Sequence, residues 1–473
     1  MRQLHRLLRS LAQWLIKDCQ THKYFCFAAL LLLLTVIPMV AYYLNYPRPE
    51  LNADTPGYFQ VVEGIQAHAF LLVDPWRLPG YPLLIVFVYA GAGQGNLVAV
   101  SIVQAILFAL ATLEIYVVAI LVLRRTWLAF LIGLLVGTNL VLLSYVKPIM
   151  SEGLALWLLT TLILAVAYFI RTLRRRALWL VAIGMLPLIF TRPEWVYLPV
   201  PLFAYLLLLA RRQGADRHLF QHALVALAFI YAIVGSYIAV NALANHYAGM
   251  TANDNFNLMG KILQYNMQDE ADPQYTHISH ELDTLVAKGD RDPYRVLPHI
   301  PGFSSDNYSP AGNFARSIIV HHPVEFLLKS VPMFFSSLTA YYDSSQVSIP
   351  GPFDEPLAWL KSIHRLLYGW NVCFPLCAVT WFILLCWRRM KSHQTVCGMG
   401  AVVLVVLYAL IITTLGGYRL DDYMRVHIVF DPLLILVVWG SLFIGAQLLI
   451  QQGPAILTQL GDHVFDHRQR KQP

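Results

Sequence analysis

Acidic and basic side chains stand at the edges of several long apolar stretches in this 473-residue chain, and they are the residues best suited to chemistry. Asp54 follows the first apolar stretch, Arg77 comes shortly afterwards, and Glu152 opens a later stretch. A carboxylate can take a proton from an attacking hydroxyl group, and a guanidinium can stabilise the charge of a phosphate. Together these residue types indicate acid–base and phosphate chemistry, provided that the fold brings them to one place.

Two further stretches carry charges next to apolar segments. Arg192-Pro193-Glu194 separates two apolar segments, and Arg419 and Arg425 precede the last one. A charge at membrane depth is unfavourable unless it is paired or hydrated, so each of these residues supports a functional hypothesis. Each one alone can also be an interfacial anchor or a structural ion pair, and that interpretation weakens when several segments converge on one face.

The elements that must position these residues are membrane helices. Hydrophobic residues make up 58% of the chain and charged residues 13%, and the mean hydropathy is +0.56. A soluble domain carries roughly 25% charged residues, and a helix needs about 20 mostly apolar residues to cross a bilayer. The sequence therefore predicts an all-α polytopic membrane protein with about ten transmembrane helices, because only helices and closed barrels satisfy the backbone in lipid.

The predicted spans follow the apolar stretches. They are residues 24–44, 96–123, 127–147, 150–170, 177–191, 195–210, 219–245, 366–388, 395–415 and 427–450. The pair 177–191 and 195–210 is short, so it predicts either two thin or tilted helices or one re-entrant hairpin.

Arginine and lysine predict the orientation, because they accumulate in short cytoplasmic loops. Basic clusters fall at alternate helix ends, and both termini are predicted to be cytoplasmic. The clusters are Arg124-Arg125, Arg171 with Arg174-Arg175-Arg176, Arg211-Arg212, Arg388-Arg389 and the basic residues of both termini. The acids at the edges of the apolar stretches then lie on the opposite, extracytoplasmic face, and the first loop is exported and carries juxtamembrane helices.

This topology divides the chain into five predicted parts. They are a cytoplasmic interfacial amphipathic helix (1–23), a transmembrane module (24–245) that includes an exported loop (45–95), an extracytoplasmic segment (246–365), C-terminal transmembrane helices (366–451) and a cytoplasmic tail (452–473). The net charge of +7 is then a topology signal and indicates a preference for anionic lipid. No basic, aromatic-interleaved face for nucleic acid is visible in the sequence.

The order of the charged motifs resembles the GT-C class of polytopic glycosyltransferases. The motifs are Asp54-Thr55-Pro56-Gly57-Tyr58, then Arg77-Leu78-Pro79-Gly80-Tyr81-Pro82, then Ser151-Glu152, then Arg192-Pro193-Glu194. Within that class the chain is most similar to the bacterial relatives of protein O-mannosyltransferases and of the lipid A aminoarabinose transferase. The resemblance covers residues 24–245 well and the end of the chain weakly.

The resemblance implies transfer of a sugar from a polyprenyl-phosphate donor to a glycan, lipid or protein acceptor on the extracytoplasmic side of a bacterial inner membrane, with inversion. In this scheme Asp54 is the general base, and Glu152 orients the acceptor or Asp54 or binds a divalent metal, so no cofactor is certain. The predicted donor-phosphate ligands are Arg77, Arg419 and Arg425, and the predicted substrate-positioning residues are Tyr58, Tyr81, Arg192 and Glu194.

Two other functions remain as alternatives. An O-antigen polymerase or ligase also uses a lipid-linked donor, and it predicts catalytic residues in the large late loop, where Arg291, Arg295, Arg316 and His321 qualify. A transporter or flippase for lipid-linked sugars predicts repeated halves or ionisable residues near the midplane. The crowding of charges at one boundary favours the transferase over the transporter.

Overall fold

The computed structural model describes residues 23–68, 72–215, 217–339, 351–387, 393–417 and 425–447. Within these ranges every regular element is a helix and none is a strand, so the all-α prediction is confirmed. The predicted interfacial helix, apart from Lys23, and the predicted cytoplasmic tail lie outside the described residues, as does Arg419.

Nineteen helices are described, some of them short. The first ten are α1 (Lys23–Asn45), α2 (Thr55–His68), α3 (Gly80–Ala92), α4 (Leu97–Leu123), α5 (Thr126–Gly137), α6 (Leu140–Val146), α7 (Glu152–Thr172), α8 (Arg175–Thr191), α9 (Pro199–Arg212) and α10 (Arg217–Asn245). The others are α11 (Asn253–Tyr265), α12 (Thr276–Ala287), α13 (Pro293–Val296), α14 (Ser309–His321), α15 (Pro323–Thr339), α16 (Asp354–Tyr368), α17 (Phe374–Cys386), α18 (Gln394–Gly416) and α19 (Arg425–Gln447).

Eight of the described helical stretches are long and apolar enough to cross a membrane, and two bent helix pairs bring the number to ten if each pair is one span. This agrees with the predicted number. The predicted span 127–147 is one of the bent pairs, because α5 and α6 meet at 52°. Asn139 accounts for the break: its side chain accepts hydrogen bonds from the amides of Val141 and Leu142 and so caps α6.

The predicted pair 177–191 and 195–210 forms separate helices, α8 and α9, with a 3₁₀ turn at Pro193–Trp195 between them. Only the stretch Pro193–Arg212 is long enough to count as a span, since α8 has 17 residues. The second bent pair is α14 and α15, which meet at 99° within the segment 246–365 that the sequence predicts to be extracytoplasmic.

The membrane helices share one large apolar core, in which α7 packs between α4 and α8. Large apolar side chains remain exposed on the outer helices, for example Leu33 and Leu44 of α1 and Leu243 of α10. In a bilayer such side chains face lipid, so their exposure carries no penalty there.

A second, smaller core lies in the stretch between α10 and α16. It is built from Phe256, Met259 and Phe314 with their neighbours, and Trp76 and Leu415 pack against it from outside that stretch. This part of the chain therefore folds around its own apolar centre and rests on the first loop (residues 46–96) and on the end of α18.

A buried polar seam fixes α19. Asp431 accepts a hydrogen bond from the hydroxyl of Tyr368 at 2.5 Å and pairs with His427 through its other oxygen. Asp431 and His427 are each 1% exposed, so their polar atoms depend on these partners. These hydrogen bonds hold α19 against α16. They therefore fix the position of Arg425, which lies two residues before His427 on α19.

Candidate functional site

Hydrogen bonds attach the first loop to the start of α7. The hydroxyl of Thr55 donates to the carbonyl of Ile149 at 3.1 Å, and the hydroxyl of Tyr58 donates to the hydroxyl of Ser151 at 3.1 Å. Asp54 immediately precedes α2, and the first residue of α7 is the other predicted acid. The two carboxylates that the sequence singled out are therefore brought together by their own neighbours in the chain.

Arg77 is held in place by a local turn. The carboxylate of Asp74 accepts hydrogen bonds from the amides of Trp76 at 2.8 Å and of Arg77 at 2.7 Å. The Arg77 Nη2 atom then reaches Asp54 Oδ1 at 2.7 Å. A side chain at Gly57 would bring a Cβ within 2.9 Å of Arg77 Nε, so glycine at this position leaves room for the guanidinium.

Arg425 bridges the two acids. Its Nε atom lies 2.6 Å from Glu152 Oε1, and its Nη2 atom pairs with Asp54 Oδ2. Glu152 is fully buried, and Arg192 Nη1 also approaches its Oε1 atom at 3.1 Å. Arg192 in turn pairs with Glu194.

These contacts define a continuous set of alternating charges, called here the charge network: Asp54, Arg77, Glu152, Arg192, Glu194 and Arg425. All six were singled out in the sequence, and four segments separated along the chain supply them. Isolated interfacial anchors would not bring six charged side chains from four segments into contact. Arg419, the remaining predicted phosphate ligand, lies outside the described part of the chain.

The two predicted tyrosines lie beside the network. The ring of Tyr58 packs edge-on against Tyr81 at 4.8 Å, and the Arg77 guanidinium lies 5.3 Å from the Tyr58 ring centre. Tyr81 is fully buried and donates to Gln104 Oε1 at 2.7 Å, and the Gln104 amide donates to the carbonyl of Pro148 at 2.7 Å. Tyr81 therefore packs against the ring of Tyr58. Because Tyr81 is buried, it can act on a bound molecule only through Tyr58.

The arginines determine the ionisation of Asp54. Burial alone raises the pKa of its carboxyl group, but the charge of Arg425 and then that of Arg77 outweigh burial and hold the pKa below its usual range. Asp54 is thus a carboxylate at neutral pH. It is also a weak base as long as both guanidinium groups remain on it.

Three buried polar atoms of the network have no hydrogen-bond partner among the residues that the structure describes: Arg77 Nε, Arg192 Nη1 and Glu152 Oε2. Buried polar groups are normally satisfied, so these two donors and one acceptor are exceptions within one site. A phosphate oxygen can satisfy such a donor, and a hydroxyl group can satisfy such an acceptor.

Arg425 contacts both Asp54 and Glu152, so it lies where a metal ion bridging these two acids would be held. One group elsewhere in the described residues brings metal-ligand types together: Glu270, His322 and Glu325, whose ligand atoms lie within 4.8 Å of one another. Glu325 already pairs with Lys329 at 2.7 Å. This group lies on the stretch between α10 and α16 and shares no residue with the network.

The polymerase or ligase alternative predicts catalytic residues in the large late loop. The contacts described for Arg295 and Arg316 are with residues outside the charge network. Arg295 lies 3.8 Å from Asp292 with 73% of its side chain exposed, and Arg316 donates to Asn255 Oδ1 at 2.9 Å. Neither is joined to the charge network by a described ion pair.

The sequence analysis did not predict that the start of α11 is attached to the first loop. The amide of Ala252 donates to the carbonyl of Pro75 at 2.6 Å, and the side-chain amide of Asn253 donates to the carbonyl of Trp76 at 2.9 Å. These bonds place the start of α11 beside the loop that carries Arg77. The sequence of this stretch indicates only an amphipathic helix, so the contact was not predictable from it.

Comparisons with known proteins were made at three levels. No protein-family model matches the sequence, and no curated protein matches it. Among solved structures, the Archaeoglobus fulgidus oligosaccharyltransferase in the apo form matches with a TM-score of 0.46 and 12% identity, over 90% of this chain and 52% of that chain. Oligosaccharyltransferase AglB from the same organism, in complex with an inhibitory peptide and a dolichol-phosphate, matches with a TM-score of 0.42 and 11% identity, over 92% and 52%.

ArnT from Cupriavidus metallidurans bound to undecaprenyl phosphate matches with a TM-score of 0.34 and 14% identity, over 91% of this chain and 80% of that chain. The chain spans about half the length of the archaeal oligosaccharyltransferase structures. At such low identities and TM-scores these matches assign the chain neither to a family nor to an activity.

Proposed function

We propose that this chain is an integral membrane glycosyltransferase, which moves a sugar from a polyprenyl-phosphate donor to an acceptor on the extracytoplasmic side of a bacterial inner membrane. One observation carries the proposal: Asp54 is held between Arg77 and Arg425, in a network with two unused buried donors and one unused buried acceptor. A carboxylate and two guanidinium groups are what transfer from a phosphate leaving group requires. The extracytoplasmic side follows from the distribution of basic residues in the sequence.

The donor phosphate binds at Arg77 and Arg425. A phosphodiester carries one negative charge, and arginine binds its oxygens through paired N–H groups. The unused Nε–H of Arg77 gives the phosphate a contact that Asp54 does not already occupy. The isoprenoid tail then lies along the exposed apolar faces of the outer helices.

Donor binding also prepares the base. A phosphate that draws a guanidinium group away from Asp54 removes part of the charge that holds the Asp54 pKa down. Asp54 then takes the proton of the acceptor hydroxyl as its oxygen attacks the anomeric carbon. The bond from that carbon to the phosphate oxygen breaks, the leaving polyprenyl phosphate keeps the electron pair, and the arginines stabilise its added charge.

Arg425 gives the site a positive charge where other carboxylate pairs use a metal ion. It contacts both Asp54 and Glu152, so its single positive charge is shared between the two acids, which it also orients towards each other. Glu152 retains one unused oxygen, Oε2, which can accept a hydrogen bond from the acceptor. The proposed reaction therefore proceeds without a divalent ion at this position.

The first experiment uses membranes that contain the wild type, Asp54→Asn or Glu63→Gln and a panel of labelled polyprenyl-phosphate hexoses and pentoses. Glu63 is an exposed acid on the same helix, α2, and serves as the matched control. We expect label to leave the carrier with the wild type and Glu63→Gln, and to stay on it with Asp54→Asn. Equal release by Asp54→Asn and wild type would remove Asp54 from the mechanism, and no release from any donor would remove the transferase.

A further inference from the structure

Two of the buried atoms without a hydrogen-bond partner lie next to each other. Arg192 Nη1 comes within 3.1 Å of Glu152 Oε1, yet neither Nη1 nor the other carboxylate oxygen, Oε2, forms a hydrogen bond with any residue that the structure describes. Because the two oxygens of a carboxylate share one carbon atom, Nη1 is only a few ångströms from Oε2. Glu152 is fully buried and Arg192 is 8% exposed. One unused donor and one unused acceptor are therefore side by side in the interior of the site.

Other contacts hold both side chains of this pair in place. Glu152 Oε1 accepts a hydrogen bond from Arg425 Nε at 2.6 Å, and Arg192 Nε donates to Glu194. Each side chain thus has a partner that fixes it and one atom left over. Buried polar atoms are normally satisfied, so a donor and an acceptor left over together point to a ligand group that brings an acceptor and a donor.

A hydroxyl group meets this requirement. Its O–H donates to Oε2 of Glu152, and its oxygen accepts from Nη1 of Arg192. A phosphate dianion has no hydrogen to donate and is repelled by Glu152, and an ammonium group has no lone pair for Nη1. A primary amide also carries a donor and an acceptor, so the test includes it.

The pair lies close to the proposed base. One guanidinium group, that of Arg425, reaches Glu152 through Nε and Asp54 through Nη2, so about the width of this planar group separates the two carboxylates. Arg77 contacts the other oxygen of Asp54, Oδ1. Along the network, Asp54 therefore stands between the proposed phosphate site at Arg77 and the pair of Glu152 with Arg192. In a displacement with inversion the acceptor approaches from the face opposite the leaving group, so the pair belongs to the acceptor side.

The proposed reaction already places one acceptor hydroxyl at Asp54, so the pair receives a second hydroxyl of the same molecule. A sugar ring carries hydroxyl groups on adjacent carbon atoms, whereas a serine or threonine side chain carries one. On the basis of the proposed function, we propose that Glu152 and Arg192 form an acceptor subsite, which binds a hydroxyl group next to the one that is glycosylated. The acceptor is then a carbohydrate, either a glycan or the sugar headgroup of a glycolipid.

Donor binding opens this subsite. Among the described contacts of Glu152, Arg425 is the more exposed, with 25% of its side chain accessible, and Arg192 lies deeper. A donor phosphate that draws the Arg425 guanidinium towards itself uncovers the carboxylate of Glu152. The acceptor sugar then reaches the pair, so it binds after the donor.

The first measurement identifies the chemical class of the acceptor. Purified wild type receives the labelled donor that it uses, together with alkyl glycosides of hexoses and pentoses, serine and threonine peptides, asparagine peptides, or phosphatidic acid. We expect transfer to an alkyl glycoside and to none of the other probes. Transfer to a peptide or to phosphatidic acid without transfer to a glycoside, or release of label to water alone, would overturn the subsite. Repeating the reaction in membranes and separating the product into aqueous and organic phases distinguishes a glycan from a glycolipid.

The second measurement compares the glycoside that accepts the label with its monodeoxy analogues, each of which lacks one hydroxyl next to the glycosylated position. We expect one analogue to have a kcat/KM lower by roughly 100-fold or more in the wild type, since the buried donor and acceptor are left unpaired. Arg192→Lys keeps a charge beside Glu194 but offers its donors from a single nitrogen atom. It should therefore reduce this discrimination to roughly tenfold or less. Arg211→Lys, an exposed arginine on α9, is the control and should keep the wild-type ratio.

The outcomes separate this inference from the proposed function. If the wild type transfers sugar to a glycoside but uses every monodeoxy analogue equally well, the subsite is wrong and the transferase stands. Equal discrimination by Arg192→Lys and the wild type would also overturn the subsite. Native mass spectrometry of undecaprenyl phosphate binding should give the same affinity for both proteins, and a weaker affinity of Arg192→Lys would show a role outside the acceptor subsite and overturn the assignment. If the wild type releases label from no donor, the proposed function itself fails.

Discussion

Removal of Arg425 tests whether one guanidinium group holds the site together. Arg425 contacts Asp54 and Glu152 at once, so Arg425→Gln separates the two acids from their shared cation. Glu152 is fully buried and keeps only Arg192, at 3.1 Å, while Asp54 keeps Arg77 at 2.7 Å. Arg425→Lys retains the charge, but an ammonium group cannot span both carboxylates in the way a planar guanidinium can.

The size of the effect follows from these remaining partners. Loss of one member of a buried ion pair destabilises a protein by about 3–5 kcal/mol, and we expect the lower end because each acid keeps a second arginine. For transfer, removal of one preorganised charged donor lowers kcat by roughly 10²–10³-fold. We therefore expect Arg425→Gln to lower kcat/KM by roughly 10³-fold and Arg425→Lys by roughly 10²-fold, since the lysine variant still neutralises one acid.

Label release from the polyprenyl carrier measures the activity, and the thermal midpoint in detergent measures the stability. Arg295→Gln is the matched control, because Arg295 is 73% exposed and its nearest acid lies 3.8 Å away. The double variant Arg425→Gln with Glu152→Gln should recover part of the stability, as it removes the buried charge left behind, and should recover no activity. Wild-type transfer and an unchanged midpoint in Arg425→Gln would refute the bridging role.

Three further predictions concern the same site. Saturating EDTA should leave transfer unchanged within about twofold, because Arg425 lies where a metal would bridge Asp54 and Glu152. A loss of transfer that Mg²⁺ or Mn²⁺ restores would contradict this prediction. Gly80→Ala should abolish transfer and lower the thermal midpoint, since its Cβ would lie 2.5 Å from Thr191 Oγ1 and 2.7 Å from the carbonyl oxygen of Phe190. The control Gly91→Ala, on the same helix, meets nothing within 4 Å and should leave transfer and the midpoint unchanged. The ion pairs of Asp54 lower its pKa in the folded protein. The stabilisation that they contribute is therefore present above the unfolded pKa of about 3.9, and it is lost as the pH falls through the lower pKa of the folded state. The thermal midpoints of wild type and Asp54→Asn should differ at neutral pH and converge in strong acid.

The helices were predictable because apolar length determines a membrane span. Runs such as 96–123 and 150–170 agree closely with α4 and α7. The break at Asn139 was not predicted, because the run 127–147 is apolar on both sides and a single polar residue in it does not show whether its side chain will cap a new helix. The bend between α14 and α15 falls at His322-Pro323, where the proline lacks the amide hydrogen that would continue α14, and the sequence analysis did not use this signal.

The members of the charge network were predictable one by one, and their pairing was not. Residue type and position at a membrane boundary singled out Asp54, Glu152 and Arg425, but a single sequence carries no distance between residues so far apart. The bridge formed by Arg425 therefore became visible only in the structure.

The balance of charges in the network bears on the order of substrate binding. With both arginines on Asp54, its pKa is low, and it is a poor base as long as no donor is bound. In the proposed reaction a donor phosphate competes with Asp54 for the guanidinium groups of Arg77 and Arg425, and the base gains strength only as the phosphate binds. Such a site favours donor before acceptor, because an acceptor that arrives first meets a carboxylate that cannot yet take its proton. The same argument explains why the cations come from separate segments, the first loop and α19: the base is restrained only when both parts of the fold have met.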